Sequence, residues 1–321
     1  MPTILLSAPL MIAQLERFRP LLSSYGIDLI VAEVHERLSE EQILAYAGQF
    51  DGAVCGDDRF SERVLLACTP RLKVISKWGT GIDSIDQIAA ARLGIQVRNT
   101  PNAFTLPVAD TAMAYILAFA RCQPWTDRVM KAGKWDKIPG RSLSECTLGV
   151  IGVGNCGKAV LRRGGAFGMQ LLGNDVVEVA QDFLIENKVE MTSLEDLLER
   201  ADFVSLNCDL NPTSYHLMNA ATLAMMKPTS VLVNTARGQV VDEPALCQAL
   251  QGGIIAGAGL DVYEMEPLQA DSPLRHMDNV LLSPHNANSS PAAWERVHKN
   301  TIRNLLEGLG IPFQESQYGA Y

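Results

Sequence analysis

The sequence predicts an α/β fold made of two doubly wound parallel-sheet domains. Two series of short apolar runs alternating with amphipathic helical segments predict it. The first series fills the opening hundred residues, and the second runs from TLGVIGVG at 147–154 to VLLSPH at 280–285. The length of 321 residues, roughly twice a typical domain, accommodates two such sheets.

In the first series TILLSAPL reads as a strand and IAQLERFRPLLSSYG as a helix. IDLIVAEV is a strand and SEEQILAYAG a helix, with Ser39 and Gln42 at capping-box spacing. DGAVCGDD and RLKVISKWG are strands on either side of a short helix near SERVLLAC. SIDQIAAARLG is a helix ending on Gly94, and IQVRN is the last strand. Pro101 and Pro107 then bracket a turn before the Ala-rich helix VADTAMAYILAFARC. In the second series KAVLRRGGAFG is a helix, and MQLLGND, DFVSLNC, SVLVNTA, AGAGLDVY and NVLLSPH are strands. SPAAWERVHKNTIRNLLEGLG is a closing helix. The crossings are expected near Asn99 and His285, giving one domain of residues 1–99 plus 286–321 and another of 100–285.

Composition narrows the function. Hydrophobic residues make up 47% and charged residues 20%, enough apolar material for two cores. With 27 basic and 36 acidic residues the formal charge is −9, which argues against general nucleic-acid binding. No apolar run reaches the ~18 residues of a membrane span. The apolar start MPTILLSAPLMIA meets its first basic residue only at Arg17, the reverse of an export signal, and reads as a strand. The seven cysteines form no CxxC pair and lie in apolar segments, so buried thiols in a reducing compartment, the cytoplasm, are expected, and no metal site.

Gly152-Val153-Gly154-Asn155-Cys156-Gly157 is a GxGxxG between a strand and a helix, and Asp175 ends the next strand. Such glycines permit a tight turn, close approach of a pyrophosphate and close helix packing. Asp175 would accept from ribose hydroxyls and repel a 2′-phosphate, favouring NAD over NADP. Ligands of open parallel sheets bind beyond the C-terminal strand ends. Those ends carry Asn234-Thr235-Ala236-Arg237-Gly238, Asp261 to Pro267, and Ser283-Pro284-His285. An arginine fork to grip a carboxylate, an imidazole to give a proton and a carboxylate to support it suit hydride transfer at a hydroxy or keto carbon. His35, His216, His276 and His298 read as surface or helix residues.

These residues resemble the D-isomer-specific 2-hydroxyacid dehydrogenases over nearly the whole chain, most specifically in KPTSVLVNTARGQVVDEPALCQAL, GAGLDVYEMEPL and NVLLSPH. The resemblance implies a flavodoxin-like substrate domain, a Rossmann NAD-binding domain and a homodimer joined through the latter. It implies a small anionic 2-hydroxy or 2-oxo acid as substrate, phosphoglycerate-like among the options. It casts Arg237 as the substrate-binding arginine, Glu266 as the carboxylate paired with histidine and His285 as the general acid/base. Asp261 resembles the acid near the nicotinamide amide. Cys208, Thr213, Thr235 and Ala236 join the glycine turn as cofactor contacts. The turn Gly79-Thr80-Gly81, with Asn102, would hold the substrate carboxylate. Lys77 could reach a second acidic group or be a solvated lysine, and Trp78 could cap the pocket or be a packed aromatic. The chain departs from the family at Asn207-Cys208-Asp209-Leu210, where an acid replaces a usual proline, and at Asn286-Ala287-Asn288-Ser289 after the histidine. A nucleotide-sensing corepressor and a formate or phosphite dehydrogenase use related folds.

Overall fold

The computed structural model describes residues 1–319, which divide into one unit of Met1–Phe104 with the chain from Ser290 onward and another of Thr105–Ser289. The changeovers fall a few residues after the crossings expected at 99 and 285.

The first unit carries β1 (Thr3–Leu6), β2 (Asp28–Val31), β3 (Gly52–Cys55), β4 (Val74–Lys77) and β5 (Gln96–Arg98), all parallel in the order β2-β1-β3-β4-β5. This is the flavodoxin-like order. β3 and β4 are buried along their whole length, as expected of central strands covered on both faces. The helix Pro291–Gly308 lies against β4. Ser76 donates its hydroxyl to the Thr301 carbonyl at 2.8 Å, and a Cβ on Gly308 would lie 2.4 Å from Val74 Cγ2. Ser39 and Gln42 form the expected capping box.

The second unit holds β6 (Thr147–Ile151), β7 (Gln170–Asn174), β8 (Val189–Met191), β9 (Phe203–Leu206), β10 (Val231–Asn234), β11 (Gly257–Leu260) and β12 (Val280–Leu282). They form a parallel sheet in the order β12-β11-β10-β9-β6-β7-β8. The chain reverses direction across the sheet between β6 and β9, the switch point where α/β sheets bind ligands. The Ala-rich helix runs over Thr105–Ala120, so Pro107 lies inside its first turn rather than closing a turn before it. A proline is tolerated there because first-turn amides have no intrahelical partner. β8 escapes the sequence pattern. It has three residues at the sheet edge and one buried side chain, Val189, so no alternation exists to read.

No helix among the described residues is long and apolar enough to cross a membrane. All seven cysteines are free thiols, four of them buried.

Candidate active site

β6 runs into the glycine turn, where each glycine answers a different constraint. Gly152 has φ +87°, and a Cβ there would lie 2.5 Å from the Cys208 amide nitrogen. A Cβ on Gly157 would lie 2.0 Å from the Gly152 carbonyl oxygen, so the helix Asn155–Ala166 can approach only without one. Gly154, by contrast, faces open space and provides no side chain to cap that helix. The first-turn amides and the positive end of the helix dipole therefore form an anion cradle. Thr235, just beyond β10, keeps a buried hydroxyl oxygen with no hydrogen-bond partner. A polar ligand would satisfy it. Uncapped helix, open Gly154 and orphaned hydroxyl together fit a dinucleotide.

Asp175 braces this turn. Its Oδ2 accepts from the Val153 amide at 2.6 Å and its Oδ1 from the Val177 amide at 2.9 Å. Each carboxylate oxygen has a second lone pair, so ribose hydroxyls can still be accepted. Desolvation pushes the Cys156 thiol up and the Cys208 thiol up to about 11, so both are neutral linings. Thr213 lies exposed with its hydroxyl on Asn211 Oδ1, 2.6 Å away.

The register aligns Asn234 of β10 with Leu260 of β11, and Leu260 with Leu282 of β12. Three adjacent strands thus end side by side, and their loops carry Arg237, Glu266 and His285. Asn234 ties off the first loop. Its Nδ2 donates to the Arg237 carbonyl at 2.9 Å and its Oδ1 accepts from the Ala236 amide at 3.0 Å. Gly238 lets that loop lie on the next, because a Cβ there would sit 1.8 Å from the Tyr263 carbonyl oxygen. Glu266 Oε2 is 3.0 Å from His285 Nδ1, and its other oxygen accepts from the Tyr263 amide at 3.1 Å. Since a carboxylate only accepts, Nδ1 carries a proton and Nε2 is left to exchange one with a ligand.

His285 adopts φ +49°, a left-handed conformation that is uncommon outside glycine. Its amide donates to the Asp261 carbonyl at 2.7 Å, and the Tyr263 hydroxyl donates to the Ser283 carbonyl at 2.8 Å. The Asp261 side chain is buried and accepts from the Ser283 hydroxyl and from the amides of Asn286 and Ala287, both at 2.8 Å. The resemblance placed this acid beside the nicotinamide amide. In the structure its carboxylate holds the loop that carries His285. Sequence reasoning missed Asn234 and Tyr263 as supports, and the only available signal was their place at strand ends. It also read His216 as a surface or helix residue. His216 is half-buried in a loop, stacked on Tyr215 and 2.6 Å from Glu264.

In the first unit Gly79 has φ +126°, and its carbonyl accepts from the Thr100 amide at 2.8 Å. Thr80 donates to the Thr100 carbonyl at 2.9 Å, Gly81 follows half-buried, and Asn102 has φ +60° on the exposed stretch after it. Lys77 is not solvated: it is buried, with Nζ 2.8 Å from Asp57 Oδ1. Trp78 is a packed aromatic, its indole N–H donating to His298 Nδ1 at 3.0 Å and its ring 5.6 Å from that of Phe104. His298 is accordingly a buried helix residue, not a surface one.

Burial pushes the His298 pKa down to about 4 from an ordinary 6.5. The unfolded chain therefore takes up this proton first. Stability from His298 is complete above about pH 6.5 and is lost as pH falls towards 4. Between pH 7 and 4.5 the protein should lose about 2 kcal/mol more stability than a His298→Gln variant, which keeps an acceptor that does not titrate. Urea unfolding at the two pH values reads the difference, and equal losses would refute it.

Residues 113–287 match the D-isomer specific 2-hydroxyacid dehydrogenase, NAD binding domain. A glyoxylate reductase of Korarchaeum cryptofilum is 42% identical over 74% of this chain and 73% of its own. The D-lactate dehydrogenase of Aquifex aeolicus, solved with NAD and lactic acid, superposes with a TM-score of 0.81 at 30% identity, covering 96% of this chain and 97% of its own. A Granulicella formate dehydrogenase superposes with a TM-score of 0.85 at 25% identity, covering 93% of this chain and 81% of its own. The domain match takes in the glycine turn, Arg237, Glu266 and His285, and on it the chain belongs to the D-isomer-specific 2-hydroxyacid dehydrogenases, NAD-dependent oxidoreductases whose cofactor domain is the second unit described above.

Proposed function

We propose that the protein interconverts a small D-2-hydroxy acid and its 2-oxo acid, with Arg237, Glu266 and His285 as its reacting set. The observation that carries this is the Glu266–His285 pair at 3.0 Å, which engages Nδ1 and makes Nε2 the atom that exchanges a proton with substrate. NADH, when bound, supplies the hydride to C2 of the oxo acid. As negative charge grows on the carbonyl oxygen, the imidazolium form of His285 gives its Nε2 proton there and is left as the neutral ring with its proton on Nδ1, which Glu266 accepts from and so orients. Arg237 takes the substrate carboxylate in a two-pronged hydrogen bond. The resemblance gives the Gly79–Thr80–Gly81 turn and Asn102 of the first unit a part in substrate binding as well. Lys77 and Trp78 serve as the buried wall behind that turn rather than as groups that touch substrate.

Glyoxylate and hydroxypyruvate are the first substrates to try, on the strength of the glyoxylate reductase relative and of a hydroxypyruvate reductase of Thermotoga maritima that is 35% identical over 86% of this chain. The assay is loss of NADH absorbance across a panel of 2-oxo acids, including pyruvate and 3-phosphohydroxypyruvate. Turnover on a short-chain acid supports the reading. NADH binding with no turnover on any acid would favour a nucleotide sensor instead. A formate dehydrogenase reading has less support, because formate has no hydroxyl proton for the Glu266–His285 pair to move.

Asp175 should set the cofactor preference. In Asp175→Ala the NADPH-to-NADH ratio of kcat/KM should rise by about tenfold or more, since a charged hydrogen-bond acceptor is worth roughly 1.5–3 kcal/mol. An unchanged ratio would remove Asp175 from the ribose site. The homodimer implied by the resemblance would join second units. Met130 and Trp135, 51% and 79% exposed there, support that reading, and sedimentation tests it. A cytoplasmic location belongs to the same reading.

A further inference from the structure

We infer that Tyr115 is a positioning residue for the proton transfer, acting on His285 through Ser283 and Asp261. The inference rests on the reading of His285 as the proton donor. Tyr115 lies in the helix Thr105–Ala120, with its ring against Gly259 of β11. A Cβ on Gly259 would lie 2.6 Å from Tyr115 Cγ, so the missing side chain makes the place for the ring.

The ring's hydroxyl reaches Ser283 Oγ at 2.7 Å and the Leu260 carbonyl at 3.0 Å. Ser283 in turn hydrogen-bonds Asp261 Oδ1. The carboxylate can only accept, so Ser283 gives it its one proton and must itself accept from Tyr115. Direction along the chain is thereby fixed: tyrosine to serine to aspartate. Asp261 then accepts from the amides of Asn286 and Ala287, and its own carbonyl from the amide of His285. His285 is held on both sides, by Ser283 two residues before it and by the Asn286 and Ala287 amides after it. Such bracing is what keeps a non-glycine residue at φ +49° and aims its ring. Burial pushes the Tyr115 hydroxyl up to about 12, so it remains a donor at neutral pH. Phenylalanine would fill the same space and supply no proton.

The test is a double-mutant cycle of Tyr115→Phe and Ser283→Ala, reading kcat, KM for the oxo acid and Kd for NADH. Tyr115→Phe should lower kcat roughly tenfold, within the range expected for a reacting group misaimed by a fraction of an ångström, with NADH Kd within about twofold. The double variant should fall no more than about twofold below Ser283→Ala, because the tyrosine acts through that hydroxyl. A Tyr115→Phe kcat equal to wild type, or effects that multiply in the double variant, would overturn the inference. Should Tyr115→Phe not fold, Ser283→Thr must exceed Ser283→Ala in kcat by at least about fivefold, and equality overturns the inference. His285→Asn in the same assay separates the two readings. Full activity there removes His285 as donor, whereas an inactive His285→Asn beside a fully active Tyr115→Phe overturns only the role of Tyr115.

Discussion

Replacing His285 with asparagine is expected to lower kcat for 2-oxo acid reduction by roughly 10²–10⁴-fold, the usual worth of a general acid, while NADH still binds with a Kd within about twofold. Asparagine is the informative substitution because of the backbone. Residue 285 sits at φ +49°, and asparagine tolerates the left-handed region better than other non-glycine residues. Alanine would add conformational strain to the loss of the ring, and the two effects could not be told apart. The cofactor cradle lies on β6 and the helix after it, several strands from β12, so cofactor affinity should not follow kcat down. His216→Ala is the control. It removes the other imidazole paired with a glutamate, at 2.6 Å from Glu264, and should leave kcat within about twofold. A His285→Asn enzyme within tenfold of wild type, or a His216→Ala enzyme as impaired as His285→Asn, would show that the proton comes from elsewhere.

Much of this architecture could be read from the chain because central parallel strands are buried on both faces. DGAVC, TLGVI and SVLVN are apolar runs bounded by turn residues, and they became β3, β6 and β10. Glycine spacing carried the cofactor turn, because Gly152 and Gly157 are demanded by backbone contacts and Gly154 between them is left open. Edge strand β8 was illegible, since three residues with one buried side chain contain no period. The roles of Lys77 and Trp78 were equally closed to sequence. A lysine beside a glycine turn looks solvated until Asp57, twenty residues earlier, is found against it. The indole of Trp78 meets His298, separated by 220 positions. The supports of His285 hid for the same reason. Tyr115 reads as one more apolar position of an Ala-rich helix, and only the folded chain shows its ring against Gly259 and its hydroxyl on Ser283.

Arg237 should give the second large effect, and its variants should separate grip from chemistry. Arg237→Gln is expected to lower kcat/KM by about 10²–10³-fold, since two hydrogen bonds to a charged carboxylate are worth about 1.5–3 kcal/mol each and glutamine retains part of one. The loss can be attributed to the side chain. Arg237 has φ −140° and ψ 144°, extended values open to any residue, and Asn234 holds it through its backbone carbonyl. Every substitution keeps that backbone tether of the loop after β10, while the Nη1 donation to the Ala236 carbonyl at 2.8 Å is lost with the side chain. Arg237→Lys keeps the charge but loses the planar fork, and should recover no more than about a tenth of wild-type kcat/KM. If charge alone mattered, lysine would restore nearly all of it. Added guanidinium should partly restore Arg237→Ala and leave Arg237→Lys, whose ammonium occupies the space, little changed. Arg237 variants that hold wild-type kcat/KM on every 2-oxo acid in the panel would mean the carboxylate is gripped by other residues, with the backbone donors of the Gly79–Gly81 turn the first to test.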